Sequence, residues 1–171
     1  MMARIRGAKV ATIATLSCFF PSLAGADLEP PSDRVILKVY ESIEFKNKGS
    51  GAEFDLGMIE SLGLTEVSTE TPWTSGKVSF QGVLVRDLMA ELGATGTHVT
   101  AVALDDYSVK IPLSDFDKYD AILATRREGE PMRVRDKGPI WVIYPWSEHP
   151  ELQNEENYAK AIWQVRELTF E

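Results

Sequence analysis

Residues 99–112 read VTAVALDDYSVKIP and give the clearest structural signal in the chain. β-Branched and apolar residues stand on both sides of an Asp-Asp pair, which predicts two antiparallel strands with a turn at Asp105 and Asp106. Aspartate suits a turn because its side chain accepts backbone hydrogen bonds and its backbone tolerates unusual dihedral angles. Asp106 and Tyr107, at the tip of this hairpin, are candidate ligand contacts, and a purely structural turn is the alternative.

Strand patterns recur on both sides of this hairpin. Short runs rich in β-branched and apolar residues predict strands at residues 34–45, 65–71, 77–80, 121–124, 140–144 and 163–170. Because alternate residues of a strand share a face, we expect Trp141 and Tyr144 on opposite sides of their strand, with one of them in the core.

Short helices are predicted between the strands. Residues 83–92 carry a leucine at every fourth position, and Gly93 follows as a stop signal. Residues 54–62 form a second helix that Asp55 can cap, and residues 114–118 form a single helical turn. Many short strands with a few helices between them indicate an α+β fold, a β-rich mixed-sheet domain with short helices.

The N-terminus has the pattern of a signal peptide, residues 1–26. Three basic residues precede an apolar run at 10–23, and Ala24-Gly25-Ala26 supplies the small residues of a cleavage site. The run is too short to cross a bilayer, although an uncleaved anchor is the alternative. We expect a periplasmic or secreted protein, with an extended, mobile leader at 27–33, one domain at 34–171 and no stable membrane span in the mature chain.

Charge and cysteine content narrow the function classes. The formal net charge is −8, and cleavage would remove three basic residues and no acids, which gives −8 − 3 = −11. Such a charge repels nucleic acid, so a small molecule or a protein is the expected partner. The only cysteine, Cys18, lies in the signal peptide, so the mature chain has no thiolate to attack a substrate or bind a metal.

The histidines do not suggest a metal site. His98 and His149 are the only two, and neither has acidic neighbours at a familiar ligand spacing. Motifs for a serine nucleophile, a phosphate-binding glycine loop or a zinc protease are also absent from the sequence. We therefore predict no metal ligands and no catalytic residues.

Basic and aromatic residues offer candidate binding groups. Arg126 and Arg127 follow a predicted buried strand, and four more charges follow at residues 133–137. Converging arginines form a fork for phosphate, sulfate or carboxylate, whereas an ion-paired surface is the alternative. Among the aromatic residues, Trp146 in a predicted loop could wall a pocket, although most aromatic side chains belong to the core.

Five stretches, in their order and spacing, resemble the oxidoreductase molybdopterin-binding domain, which has the sulfite oxidase fold. They are FQGVL at 80–84 with its helix to 92, ALDDYSVKIP at 103–112, ILA at 122–124 with GEPM at 129–132, GPIWVIYP at 138–145 and IWQVREL at 162–168. The resemblance covers residue 35 to the C-terminus. It implies a mixed β-sheet domain and molybdopterin as the family's cofactor.

One departure from the family bears on activity. Active members hold molybdenum through a cysteine thiolate upstream of a W-x-G-V stretch, and the corresponding segment here, residues 66–73, contains no cysteine. A threonine hydroxyl does not replace a soft thiolate. No catalytic residue is therefore carried over from the family. A pocket at the sheet end is expected to be lined by Trp73, Asp106, Tyr107, Arg126, Arg127 and Trp146.

Three functions follow from these observations. The leading hypothesis is an exported, non-catalytic family member without a cofactor, which binds a small ligand, with an anion as one candidate, or a partner, as a sensory or accessory protein. The alternative is a minimal molybdopterin-dependent oxidoreductase. A structural interaction module, with buried aromatic side chains and no open pocket, is the third.

Overall fold

The protein folds around two five-stranded sheets, as described for residues 28–171 by a computed structural model. The first sheet has the order β2-β1-β10-β5-β6, with β1 (Leu37–Glu41), β2 (Ala52–Phe54), β5 (His98–Ala103), β6 (Ser108–Pro112) and β10 (Val165–Phe170). The second has the order β3-β4-β7-β8, with β3 (Thr65–Glu70), β4 (Lys77–Leu84), β7 (Ile122–Arg127) and β8 (Glu130–Pro131), and β9 (Trp141–Ile143) also pairs with β7. The α+β fold class with mixed sheet and short helices is confirmed, whereas the predicted signal peptide lies outside the described residues.

Strand pairing joins distant parts of the chain. β1 pairs with β10 in parallel, and the other pairings are antiparallel. The predicted β5–β6 hairpin is present, closed by a hydrogen bond from the Ala103 amide to the Tyr107 carbonyl at 2.8 Å. A bridge between Trp141 and Trp163 connects the segment before β10 to the second sheet. This bridge brings the late part of the chain beside β9.

The helices are α1 (Leu56–Ser61), α2 (Val85–Leu92), α3 (Leu113–Tyr119) and α4 (Glu155–Ala159). The buried Asp55 caps α1, because its Oδ1 accepts from the Met58 amide at 2.9 Å. Gly93 ends α2 in the left-handed conformation, with a φ of 57°. Both end signals were predicted from the sequence. None of the helices in residues 28–171 has the length and hydropathy needed to cross a membrane.

β4 and β7 approach each other closely at Gly82. A Cβ at this position would lie 2.0 Å from the Leu123 carbonyl oxygen and 2.5 Å from the Ala124 Cα. The register of the two strands also shifts between Gln81 and Gly82. The absence of a side chain at residue 82 therefore allows this pairing, since any Cβ would push the strands apart.

Three local expectations need correction. Trp141 and Tyr144 are both fully buried, because side chains cover both faces of β9. The leader is not free, because Asp55 Oδ2 accepts from the Ser32 and Asp33 amides at 2.9 and 3.0 Å. The region 34–45, predicted as a strand or a strand pair, contains one strand, which ends at Glu41 with a φ of 70°.

Candidate functional site

An aromatic cavity of about 530 Å³ opens beside the tip of the β5–β6 hairpin. Its aromatic walls are Trp73, Tyr107, Tyr158 and Trp163. Smaller apolar residues complete the surface, with Ala103 from β5, Ala159 at the end of α4, and Ala161 and Ile162 just after it. This volume lies in the range of about 300–1,000 Å³ that is usual for small-molecule pockets.

Trp73 is the centre of the aromatic cluster behind the cavity. Its ring centroid lies 5.5 Å from that of Trp163 and 6.1 Å from that of Tyr158, both in edge-to-face geometry. Trp141 and Trp146 lie on the core side of the cluster, at 5.8 and 6.2 Å. These contacts with the core hold the Trp73 side chain in one orientation, so the part of the cavity wall that Trp73 forms is fixed.

Two tryptophans of the core differ in their hydrogen bonding. Trp141 Nε1 donates to the Ala161 carbonyl at 3.0 Å, which anchors one side of the cavity. Trp146 is 1% exposed, and its Nε1 is the only buried side-chain nitrogen or oxygen in residues 28–171 without a hydrogen-bond partner. An unpaired buried donor is unfavourable by about 1–3 kcal/mol. A water or ligand atom that reached it would satisfy this donor.

The charged side chains that line the aromatic cavity are acidic. Asp105 and Glu155 stand among the lining residues, which include no lysine, arginine or histidine. Asp105 Oδ1 also accepts from the Tyr107 amide at 3.1 Å, which orders the hairpin tip. Lys137 lies near the cluster without lining the cavity, with Nζ 3.5 Å from the Trp163 ring centroid, and burial lowers its pKa. Aromatic faces with nearby carboxylates favour an uncharged or cationic ligand.

Hydroxyl groups of two threonines, Thr69 and Thr71, precede Trp73 in the chain. Thr69 is fully buried, and its Oγ1 accepts from the Ser147 amide at 3.0 Å. Thr71 Oγ1 lies 2.9 Å from Thr74 Oγ1 and accepts from the Trp73 amide at 3.1 Å. Both threonine hydroxyls therefore have protein partners in this structure.

The predicted pocket residues are only partly brought together. Trp73 and Tyr107 line the aromatic cavity, whereas Trp146 lies behind Trp73 and does not reach the cavity. Asp106 leaves the hairpin tip in another direction and binds Arg166 at 2.6 Å.

The two predicted arginines lie on β7, away from the aromatic cavity. Arg126 forms two hydrogen bonds of 2.9 Å with the Glu60 carboxylate, which also accepts from Thr125 at 2.8 Å. The Arg126 guanidinium is the main reason that the pKa of Glu60 is lowered. Arg127 follows it at the exposed end of the strand. The Arg126 fork is thus already used by an acidic side chain of the protein.

Tyr158 and Glu155 were missed as site residues because α4 was not predicted. This helix buries no residue, so it has no apolar stripe to reveal it. One local signal was present, since Asn154 precedes two acidic residues and caps the helix by accepting from the Asn157 amide at 3.0 Å. Trp163 could not be assigned from the sequence, because its pairing with Trp141 is long-range.

Comparison with known proteins identifies the family. The model of the oxidoreductase molybdopterin binding domain matches residues 57–148, more than half of the chain. The chain belongs to this family. No curated protein sequence matches it.

A solved structure supports the fold. The crystal structure of the sulfane dehydrogenase SoxCD from Paracoccus pantotrophus is similar, with a TM-score of 0.58 and 18% sequence identity. The match covers 78% of this chain but only 37% of that chain. At this identity, the similarity shows a shared fold and nothing finer.

The residues of the cavity do not fit the family's cofactor. Molybdopterin carries a phosphate and a metal, and these groups prefer cationic partners and soft ligands such as thiolate. The cavity and its neighbouring strand instead offer aromatic rings, the carboxylates of Asp105 and Glu155, and hydroxyls that are already hydrogen-bonded. Residues 28–171 contain no cysteine and no group of three or more His, Asp or Glu placed to hold a metal ion.

Proposed function

We propose that this protein is an exported, non-catalytic member of its family that binds a small organic ligand in the aromatic cavity. The cavity carries the proposal, because four aromatic walls surround a space of suitable size without any side chain that would hold the cofactor. The mature protein then works in the periplasm or outside the cell as a sensory or accessory component. The signal-peptide pattern of residues 1–26 supports this location.

The proposed ligand has an apolar or aromatic body and is uncharged or cationic. Tryptophan and tyrosine faces attract cations, by about 0.5–1 kcal/mol at exposed sites and about 2 kcal/mol when desolvated. Asp105 and Glu155 add favourable charge near the opening. The anionic ligand expected from Arg126 and Arg127 does not suit this cavity, because both arginines lie elsewhere.

A non-catalytic role is consistent with the side chains at the cavity. Its lining has no histidine, cysteine, serine or lysine, and its ionisable groups are the carboxylates of Asp105 and Glu155 and the phenols of Tyr107 and Tyr158. The alternative, a minimal molybdopterin-dependent oxidoreductase, draws its support from family membership. The two functions differ in whether the exported protein contains molybdenum.

The first experiment is a cofactor assay on the mature protein purified from a molybdenum-replete host. We expect no stoichiometric molybdenum by mass spectrometry and no pterin fluorescence after oxidation. Stoichiometric molybdenum or pterin would contradict the non-catalytic proposal and favour the alternative.

The second experiment tests the cavity with a pair of small probes of opposite charge. We expect phenyltrimethylammonium to change the tryptophan fluorescence saturably and to raise Tm by mass action, and benzenesulfonate to do neither. Tyr107 is half exposed, so Tyr107→Ala should fold normally and weaken phenyltrimethylammonium binding by about fivefold, whereas Tyr107→Phe keeps the ring and serves as the control. Equal binding of both probes, or no effect of Tyr107→Ala, would refute the proposed site.

A further inference from the structure

A second cavity, of about 540 Å³, lies on the other side of the hairpin tip, and we call it the basic groove. Ala103, Asp105 and Tyr107 line the aromatic cavity, whereas Leu104 lines the basic groove. Leu104 lies in the turn that follows β5, between residues of the aromatic cavity. No residue lines both cavities, so the groove is independent of the proposed function.

Four cations line the basic groove, namely Arg34, Lys38, Arg133 and Arg166, with Glu167 as the only acid. This concentration contrasts with the net charge of −8 for the whole chain. A charge of one sign on a concave surface raises the local concentration of ligands with the opposite charge.

Two of these cations are already paired and two are available. Arg166 binds Asp106 at 2.6 Å, and Lys38 lies 3.7 Å from Glu53. The guanidinium groups of Arg34 and Arg133 have no acidic partner within residues 28–171. Free guanidinium groups are well suited to bidentate binding of carboxylate or phosphate.

Apolar side chains form the rest of the groove. Leu104 and Val134 are 42% and 45% exposed, and both belong to the few large apolar residues that residues 28–171 leave exposed. Met132 and Pro139 extend this surface. An aliphatic ligand would remove Leu104 and Val134 from water, at about 25 cal/mol per Å² of apolar area.

We propose that the basic groove binds an amphiphilic organic anion, with its oxyanion head held by Arg34 and Arg133 and its aliphatic body against Leu104 and Val134. The concave shape and volume suit a small molecule. Nucleic acid is excluded as the ligand by the negative charge of the rest of the protein. The apolar half of the groove distinguishes this site from one for an inorganic ion.

The test uses n-octyl phosphate below its micelle concentration, titrated into the mature protein by calorimetry. We expect saturable binding that weakens as salt is added, weaker binding of inorganic phosphate and no saturable binding of 1-octanol. The double variant Arg34→Ala/Arg133→Ala should weaken n-octyl phosphate binding at least tenfold. Arg135→Ala is the matched control, because Arg135 lies in the same loop, outside the groove and beside Asp136.

Further variants separate the two halves of the ligand and the two cavities. Leu104→Ser/Val134→Ser should reduce n-octyl phosphate affinity towards that of inorganic phosphate, while Tyr107→Ala should leave it unchanged. Binding that survives Arg34→Ala/Arg133→Ala, or that Arg135→Ala weakens equally, would overturn the site. Inorganic phosphate that binds as tightly as n-octyl phosphate would overturn the amphiphilic ligand, and loss of binding in Tyr107→Ala would place the probe in the aromatic cavity.

Discussion

Replacement of Thr69 by valine tests whether this buried hydroxyl has a structural role near the end of β3. Thr69 Oγ1 accepts from the Ser147 amide at 3.0 Å, and Ser147 Oγ in turn accepts from the Glu70 amide at 3.0 Å. These bonds tie β3 to the loop that follows Trp146. Valine has nearly the same shape as threonine, so Thr69→Val removes the acceptor and leaves the packing unchanged.

The expected loss of stability follows from the unpaired Ser147 amide. A buried donor that loses its partner is destabilising by about 1–3 kcal/mol, and because Ser147 is only half buried we take about 1–2 kcal/mol. For a chain of this size, a loss of 1 kcal/mol lowers Tm by about 2–4 °C, so Tm should fall by about 2–8 °C.

Urea and thermal unfolding followed by circular dichroism measure this effect. Thr69→Ser keeps the hydroxyl and should lose less stability than Thr69→Val. Ser68→Val is the control, because Ser68 is the exposed neighbour on the same strand and valine favours strand structure. If Thr69→Val is as stable as the parent, or Ser68→Val is destabilised equally, the Thr69 hydroxyl does not hold β3 to this loop.

Two other predictions concern elements that frame the sites. The pKa of Asp55 lies below its ordinary value of 3.8, chiefly because the Met58 amide donates to its carboxylate. The ionised form therefore stabilises the fold above pH 3.8, and this contribution is lost as the pH falls through the lowered pKa. Asp55→Asn should flatten the acid dependence of the unfolding free energy, and an unchanged dependence in urea titrations would contradict this. Gly82→Ala places a Cβ 2.0 Å from the Leu123 carbonyl oxygen and should be destabilising by about 1–3 kcal/mol or more. Gly57→Ala in α1, with its nearest contact at 3.4 Å, should instead be stabilising by about 0.5–1 kcal/mol. If thermal unfolding shows that both variants change Tm in the same direction, the packing argument is refuted.

The parts of the fold that could be predicted from sequence are those with local signals. The hairpin at residues 98–112 has alternating residues around an Asp-Asp turn, and α2 has leucines at helical spacing before Gly93. The N-cap of α1 at Asp55 is also determined by a few neighbouring residues. In each case the structure is determined within a short, continuous stretch of chain, which is the range that propensity and periodicity describe.

The rest of the site depends on pairings between distant residues. The pairing of Arg126 with Glu60 brings together α1 and β7, which are far apart in the sequence, so the sequence alone left a free arginine fork and an ion-paired surface as alternatives. Trp141 in β9 and Tyr144 just after it are buried together, because this segment is covered on both sides, which strand alternation alone does not predict. Trp163 reaches Trp73 only because its segment pairs with β9.

The distribution of charge at the hairpin tip also bears on whether the family's chemistry survives. A site for a metal cofactor with a phosphate needs a soft ligand and cations on the same side as the cofactor. Among the residues that line the two cavities, every cation belongs to the basic groove and none to the aromatic cavity beside β3. A cysteine introduced into residues 66–73 would therefore supply a thiolate without the cations. On the proposed non-catalytic function, cofactor binding would also require the charge of the cavity to change, so we expect no single substitution to create it.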